Sequence, residues 1–420
     1  LLLQSLAALI TALRFARFAM RAPSSRTTRQ MPKAAVIIPC KGTDSDFEEN
    51  IGAYLAQDYR HYELIFVTES TADPAYAALT RMLSEYNRPV WVTIAGESNG
   101  QGQKVHNLCA AIELLNSVNK RAEVLVFADA DARPSENWLR ELVATLDDEH
   151  VGAATGFRWY SPACKGVWPR LLSAWNASAL NLLGERSSFA WGGAMAIRRD
   201  YFQRLKIKEQ WEGAVSDDYA LTQAVQASGL RIKFVPSGLM LSEAKAGFKE
   251  LLEFTTRQIT ITRVYAPRVW MMTACAHVLY NITFWGGLLC LAANILMGRS
   301  INLTLLILLI GSFWMGALTG GARAFVAASI LPDEYRVQVR KHWWAYLISG
   351  PIVSLLFLYN IIASAFTRNI TWHGIGYEMV SPHETIVSYR PEPSTLLKHP
   401  SEISRQASGA KAESSSTQSN

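Results

Sequence analysis

Three stretches without a single charge constrain this chain most. Val269 to Met297, Ile301 to Ala322 and Trp343 to Phe366 contain no Asp, Glu, Lys or Arg. Each exceeds the roughly 20 residues that a helix needs to cross a bilayer. One such run could be a buried core helix, but three in succession read as membrane segments. A further apolar stretch, Leu1 to Leu13, opens the chain. It reads as the remnant of an N-terminal transmembrane anchor. A cleaved signal peptide is the competing reading, but it would carry its cations before the apolar stretch, whereas Arg14, Arg17, Arg21, Arg26, Arg29 and Lys33 follow it.

Those six cations equal the whole basic excess of the chain, 41 basic minus 35 acidic residues. The positive balance is therefore a topology signal and not a nucleic-acid footprint. It places the following domain on the cytoplasmic side. Five scattered cysteines (Cys40, Cys109, Cys164, Cys275, Cys290) have no metal-site spacing, and their odd number argues against a disulfide framework.

Between residues 33 and about 240, apolar runs of strand length alternate with helix-length segments. Ala34–Ile38, Glu63–Val67, Val90–Ile94 and Val124–Phe127 read as strands. Segments from Phe47, Pro74 and Gln103 read as the helices between them. Such a repeated βα pattern implies a mostly parallel sheet covered by helices on both faces. Beyond Gly152 the pattern becomes mixed. A strand is expected over Ser187–Ile197, interrupted by Trp191-Gly192-Gly193, where glycine permits close backbone approach to a ligand. A helix is expected from Ser216, its N-cap, with Asp217 and Asp218 in the first turn.

The fourth strand runs directly into Asp129-Ala130-Asp131. Paired carboxylates at the carboxyl end of such a strand lie where open α/β sheets bind ligands. Their hard oxygens suit a magnesium or manganese ion that also bridges substrate phosphates. A solvated turn in which an Asp caps the next helix is the alternative on this motif alone.

Taken in order, these and other motifs resemble glycosyltransferases of the GT-A fold, family 2 and more closely family 21, the ceramide glucosyltransferase-like enzymes. The resemblance covers about residues 33–268 and the flanking membrane architecture. Val36-Ile-Ile-Pro39-Cys-Lys41-Gly42 looks like the opening strand and nucleotide-facing loop. Phe66 to Pro74 looks like the first Asp motif, with Glu69 at the strand end and Asp73 in the Asp position. Lys104-Val-His-Asn107-Leu is similar to the Lys-x-x-Asn-Leu segment. Asp129 and Asp131 match the second Asp motif, and Val215-Ser-Asp217-Asp218-Tyr the third. The fourth motif, a basic residue or Gln, two spacers and Arg-Trp, is degraded here to Arg257-Gln258-Ile-Thr-Ile-Thr-Arg263. Trp372-His-Gly-Ile-Gly-Tyr377 looks like the Trp-x-Gly-x-x-Tyr segment found after the last span in bacterial relatives.

The resemblance implies an α/β GT-A (Rossmann-like) catalytic domain with α-helical transmembrane segments. It implies an inverting, metal-dependent hexosyltransferase that moves a sugar, glucose from UDP-glucose, to a lipid hydroxyl such as that of ceramide. Asp131, assisted by Asp129, would hold Mg2+ or Mn2+. Asp218 would be the general base, with Asp217 beside it. Pro39, Lys41, Glu69, Asp73, Lys104 and Asn107 would bind the nucleotide sugar. Trp191, Arg257, Gln258 and Arg263 would contact acceptor or phosphate, although Trp191 could equally fill a core. Transfer to a hopanoid or a polyprenyl phosphate, or a catalytically silent nucleotide-sugar-binding membrane subunit, are the rival readings. The expected partners are a UDP-sugar, a lipid acceptor and the bilayer, without nucleic acid. The expected location is a bacterial inner membrane, or the ER or Golgi in a eukaryote, with the catalytic domain facing the cytoplasm.

The expected organisation is an anchor remnant with its basic flank (1–32), the catalytic domain (33–244), an amphipathic interfacial helix (245–268), a membrane region (269–366), a motif segment (367–390) and a disordered tail (391–420). Three full spans after the catalytic domain would place Trp372 to Tyr377 across the membrane from it. A re-entrant last run, broken at Gly350-Pro351, would return that segment to the same side.

Overall fold

The computed structural model describes residues 1–21, 31–84, 86, 90–118, 122–162, 166–184 and 188–391. Arg26, Arg29, Cys164 and the segment beyond 391 lie outside the described residues. A sheet of seven strands organises the first half: β1 (Ala34–Pro39), β2 (Tyr62–Thr68), β3 (Val90–Ile94), β4 (Val124–Ala128), β5 (Val151–Pro162), β6 (Ala194–Arg198) and β7 (Arg231–Ala244). Their spatial order is β3-β2-β1-β4-β6-β5-β7. The pairs β1–β2, β2–β3, β1–β4 and β5–β7 are parallel, and only β6 runs against its neighbours. The mostly parallel sheet expected from the βα alternation is therefore present.

Every residue of β1, β2 and β4 is buried except Pro39, which is half-buried, because helices cover both faces. Alternation at period two divides their side chains. Val36, Ile38, Leu64, Phe66, Val124 and Val126 face α2 (Phe47–Leu55), α3 (Pro74–Leu83) and α5 (Trp138–Thr145). Ile37, Ile65, Val67, Leu125 and Phe127 face α4 (Gln103–Val118) and the helices α7 (Arg199–Arg204), α8 (Ile207–Gln210) and α9 (Asp217–Ala227). Between these, α6 (Val167–Ala177) follows β5 and packs on it. β6 occupies only the last part of the Ser187–Ile197 stretch. Trp191 to Gly193 form the turn that leads into it.

Among the described residues, three helices are long and apolar enough to cross a membrane: α1 (Leu2–Arg21), α11 (Pro267–Leu296) and α12 (Leu303–Ile330). Helix α10 (Phe248–Tyr265) leads from the sheet into α11. The third charge-free run is not a single span. It breaks at Ser349 into α14 (Trp343–Ile348) and α15 (Gly350–Phe366), after a short polar helix α13 (Asp333–Lys341).

Both ends of this broken run lie on the side of the sheet domain. At its start, Ser161 donates to Gln338 at 2.5 Å and Arg133 to the Tyr335 hydroxyl at 3.0 Å, so α13 rests on the sheet domain. At its end, Arg263 of α10 donates to the carbonyls of Ser364 and Thr367. In between, Ser354 meets Asn281 and His277 of α11, while Ser364 takes a hydrogen bond from Trp270. Asn281 lies about 16 Å further along α11 than Trp270, at 1.5 Å per residue. Helix α15 thus begins deep beside α11 and climbs back out. Gly320 of α12 lets α14 in, since a Cβ there would sit 2.0 Å from the Tyr346 carbonyl oxygen. A helical hairpin results, with Pro351 near its turn, where its missing N–H is an unpaired helix-start group anyway.

The chain then forms a small antiparallel sheet of β8 (Asn369–Trp372), β9 (Ile375–Ser381) and β10 (Glu384–Tyr389). His373 and Gly374 make its first turn, with φ of 47° and 80°. Ile370, Ile375, Tyr377 and Met379 bury themselves against Val215 of the sheet domain and Ile261 and Tyr265 of α10. The Trp372–Tyr377 segment therefore packs on the sheet domain and α10.

Candidate active site

Asp129 and Asp131 lie just beyond the carboxyl end of β4, beside β1, where the chain order of the sheet reverses. Their backbone is fixed from both sides: Tyr54 donates its hydroxyl to the Asp129 carbonyl at 2.8 Å, and Ser242 to the Asp131 carbonyl at 2.7 Å. The carboxylates share one cation that sequence reasoning missed. Arg158 of β5 forks onto Asp131, with Nη1 at 2.9 Å and Nη2 at 2.6 Å, and reaches Asp129 at 2.9 Å. It also donates to the Tyr160 hydroxyl at 2.8 Å and lies 5.1 Å from the Trp191 ring. Crowding by protein pushes the Asp131 carboxyl up, but the Arg158 charge and hydrogen bonds outweigh it and hold it below the usual carboxylate range. The one signal in the sequence was a lone Arg inside the otherwise uncharged run Val151 to Pro162.

Lys104, near the start of α4, binds Asp129 at 2.8 Å and Asp217 at 3.3 Å. Burial lowers its pKa, but the surrounding acids raise it further, so it stays charged. The structure thus commits Lys104 to the acids. Asn107 accepts from Gln103 at 2.8 Å and is buried within α4.

Asp217 and Asp218 differ sharply. Asp217 is 2 % exposed, its Oδ2 is buried without a hydrogen-bond partner, and burial pushes its carboxyl up to about 6, against the pull of Lys104. Asp218 is half-buried and opens to the cleft. Its Oδ1 accepts from the Ser216 hydroxyl and the Tyr219 N–H, and its Oδ2 from the Gly192 N–H at 3.1 Å. Ser216 is the N-cap of α9, as its position predicts. The glycine pair makes these approaches possible. A Cβ on Gly192 would lie 2.5 Å from Asp217 Oδ2, and one on Gly193 would lie 2.1 Å from the Trp191 ring. Trp191 itself is half-buried, edge-on to Phe157, and walls the cleft next to Arg158.

On the other side of the cleft, Pro39 closes β1 and Lys41 follows it, bound to Glu69 at 2.5 Å. Asp73 accepts from the N–H groups of Gly42 at 2.8 Å and Ala75 at 2.9 Å, so it caps α3 and pins the loop after β1. Toward the membrane, Arg257 donates to the Thr371 carbonyl at 3.1 Å, with its guanidinium over the rings of Phe254 and Trp372. Burial lowers the Arg257 pKa, partly countered by Tyr160, Glu253 and Asp131. Gln258, next on α10, is half-buried and its main-chain carbonyl accepts from Thr262. Arg263 is committed to the end of α15 and does not face the cleft acids. His373, on the turn of the small sheet, interacts electrostatically with Asp131, Arg257 and Lys41. Crowding by these elements lowers its pKa first, and Asp131 partly restores it.

The profile of Glycosyl transferase family 21 matches residues 1–384. The chain belongs to glycosyltransferase family 21. It is a glycosyltransferase with a GT-A-like sheet domain and helices able to cross a membrane. Among solved structures, it is similar to the mannosyltransferase PcManGT from Pyrobaculum calidifontis in complex with GDP-Man and Mn2+, at 17% sequence identity. That match covers 87% of this chain and 98% of the other, with a TM-score of 0.47.

Proposed function

We propose that this family 21 glycosyltransferase moves glucose from UDP-glucose to a hydroxyl of a membrane lipid such as ceramide, with inversion, at the cytoplasmic face. One observation carries the reading: the donor-side and acceptor-side acids meet in one cleft. Lys104 bridges Asp129 to Asp217, and the Gly192 N–H, next to Trp191, holds Asp218.

The residues fit a divalent cation. A carboxylate offers about four lone-pair sites, and Arg158 uses one on each Asp131 oxygen. The Asp131 side chain is still 49% exposed, so the remaining sites face the cleft. Among the described residues no third His, Cys, Asp or Glu completes a cage. That suits an ion which keeps water and substrate oxygens as ligands. Held by Asp131 and Asp129, such an ion would neutralise the charge that develops on a diphosphate leaving group.

The chain's own residues supply the rest. Arg158 keeps Asp131 ionised and aligns both carboxylates. Lys41 and Arg257 add fixed positive charge around the diphosphate. The acceptor oxygen attacks the anomeric carbon as the bond from that carbon to the diphosphate breaks, and the acceptor proton passes to Asp218. Three hydrogen bonds fix Asp218, leaving a lone pair open to the cleft. A single displacement of this kind inverts the anomeric centre. Asp217 sits behind Gly192 and tunes the pair.

A lipid acceptor is supported by the floor of the cleft. Arg158 bonds Tyr160, whose ring meets Phe254 of α10 edge-on at 5.7 Å, and α10 packs along α11 and α15. The reacting acids are thus joined to the membrane helices by direct contacts. The cytoplasmic assignment rests on the basic bias. Arg14, Arg17 and Arg21 of α1, and Arg336, Arg340 and Lys341 of α13, flank the sheet-domain side, against Arg299 alone in the opposite loop.

The test is a panel assay with the purified full-length chain in lipid nanodiscs. UDP-glucose, UDP-galactose and GDP-mannose would each be offered with ceramide, a hopanoid and a polyprenyl phosphate. Glucosylated ceramide or a similar lipid alcohol is the expected product. Transfer only to the polyprenyl phosphate would replace the acceptor. Nucleotide-sugar binding without any transfer would favour a silent subunit.

A further inference from the structure

The small C-terminal sheet ends at Tyr389, and the next residue, Arg390, reaches across the molecule to the loops after β2 and β3. Its guanidinium pairs with Glu69, donates to the Ser98 carbonyl at 2.9 Å and to Gln103 Oε1 at 3.0 Å, and lies 3.7 Å from Glu97. Only 17% of its side chain is exposed. Glu69 follows β2, residues 97–98 follow β3, and Lys41 follows β1. One tail residue therefore ties together the loops at the carboxyl ends of the outer parallel strands, where an open α/β sheet takes the nucleoside end of a ligand.

The contacts are those of a built node. Gln103 is itself fixed: its side chain donates to the Gly96 carbonyl and to Asn107, both at 2.8 Å, and its backbone N–H donates to the Tyr377 hydroxyl of β9 at 3.1 Å. Thr385 of β10 donates to the Gly213 carbonyl at 2.7 Å, anchoring the same sheet on its other edge. Glu69 is held between two cations, Lys41 and Arg390, and its side chain is 12% exposed. A planar guanidinium fixes a carboxylate's orientation in a way that an ammonium cannot.

We propose that Arg390 is a positioning residue of the donor site: it holds Glu69 and the loop after β3 in the orientation that receives the nucleoside of the sugar donor. The C-terminal sheet is thus a wall of that site. This rests on the nucleotide-sugar reading above, and it adds a residue that no cleft motif contains. Loss of Arg390 would loosen Glu69 and the Ser98 loop while leaving Asp131, Arg158 and Asp218 in place.

The experiment uses the full-length chain in nanodiscs, with UDP and UDP-glucose as probes. Arg390→Ala should raise the Kd for UDP and the KM for UDP-glucose about tenfold or more, while kcat stays within about threefold. Arg390→Lys should recover part of the loss. In a double-mutant cycle with Glu69→Gln, the two losses in UDP affinity should be non-additive, because both act on one contact. Wild-type binding that Arg390→Ala leaves unchanged, or tightens, overturns the inference alone. A purely structural role would lower Tm without moving the KM, and that result overturns it too. If Arg390→Ala is not recovered from the membrane, Arg390→Lys carries the test: weakened UDP binding supports the inference, and wild-type binding overturns it. A wild-type chain that binds neither UDP nor GDP overturns the donor reading and this inference with it.

Discussion

At the scale of single residues, environment divides two adjacent acids. Asp217 and Asp218 are neighbours in the sequence and in the first turn of α9, yet only Asp218 opens to the cleft. If Asp218 takes the acceptor proton, Asp218→Asn should cut turnover at least about a hundredfold, the usual scale for lost general-base help. UDP affinity should change little. Asp217→Asn should cost less, because in this reading Asp217 only tunes its neighbour from behind Gly192. Turnover and donor affinity measured for both variants decide this. Wild-type turnover in Asp218→Asn would end the base assignment, and equal losses would leave it shared. Asp129, Asp131 and Asp218 were legible because each sits at a strand end or helix start that local sequence marks. Arg158, His373 and Arg390 were not, because their partners are distant in the chain. Arg158 meets Asp131 from two strands away, and Arg390 meets Glu69 across 321 residues.

Elements show the same division between local and distant causes. Strands β1 to β4 could be read directly, since continuous apolar runs bounded by polar helices leave no other place for them. β5 and β7 could not: Gly156 and Gly238 sit where the paired strands nearly touch, a Cβ on Gly156 lying 2.1 Å from the Gly238 carbonyl oxygen. Their small residues break the strand pattern for a packing reason. The last charge-free run reads by composition either as a span or as a re-entrant turn broken at Gly350-Pro351; the chain breaks it at Ser349 into α14 and α15, and β8–β10 pack beside the sheet domain. Gly350-Pro351 was the local sign of that break, and the His373-Gly374 turn, with both φ values positive, joins β8 to β9. Single cysteines introduced at Ser45 and at Ser381, one per variant, check this arrangement. In intact cells an impermeant thiol reagent should label neither until the membrane is opened. Labelling at Ser381 alone would mean three full crossings after the sheet domain.

At the scale of the whole molecule, the proposed reaction would join a nucleotide crevice, the base Asp218 and helices long and apolar enough to cross a membrane in one cleft. The sheet supplies Asp129 and Asp131, α9 supplies Asp218, α10 supplies Arg257 against Trp372, and the C-terminal sheet closes the donor side. The degraded Arg-Trp motif on α10 makes sense in this arrangement, since the aromatic beside Arg257 arrives from β8 instead. Because donor and acceptor must meet from different phases, sidedness is the property that an unrelated nucleotide-binding protein would lack. The direct test uses sealed vesicles of known orientation containing the purified chain and ceramide, with labelled UDP-glucose added to one side at a time. The account predicts alkali-stable label in the lipid only when the donor is on the side of the sheet domain, with transfer from the other side appearing after permeabilisation. Equal labelling from both sides, or release of free glucose with none in the lipid, would contradict it.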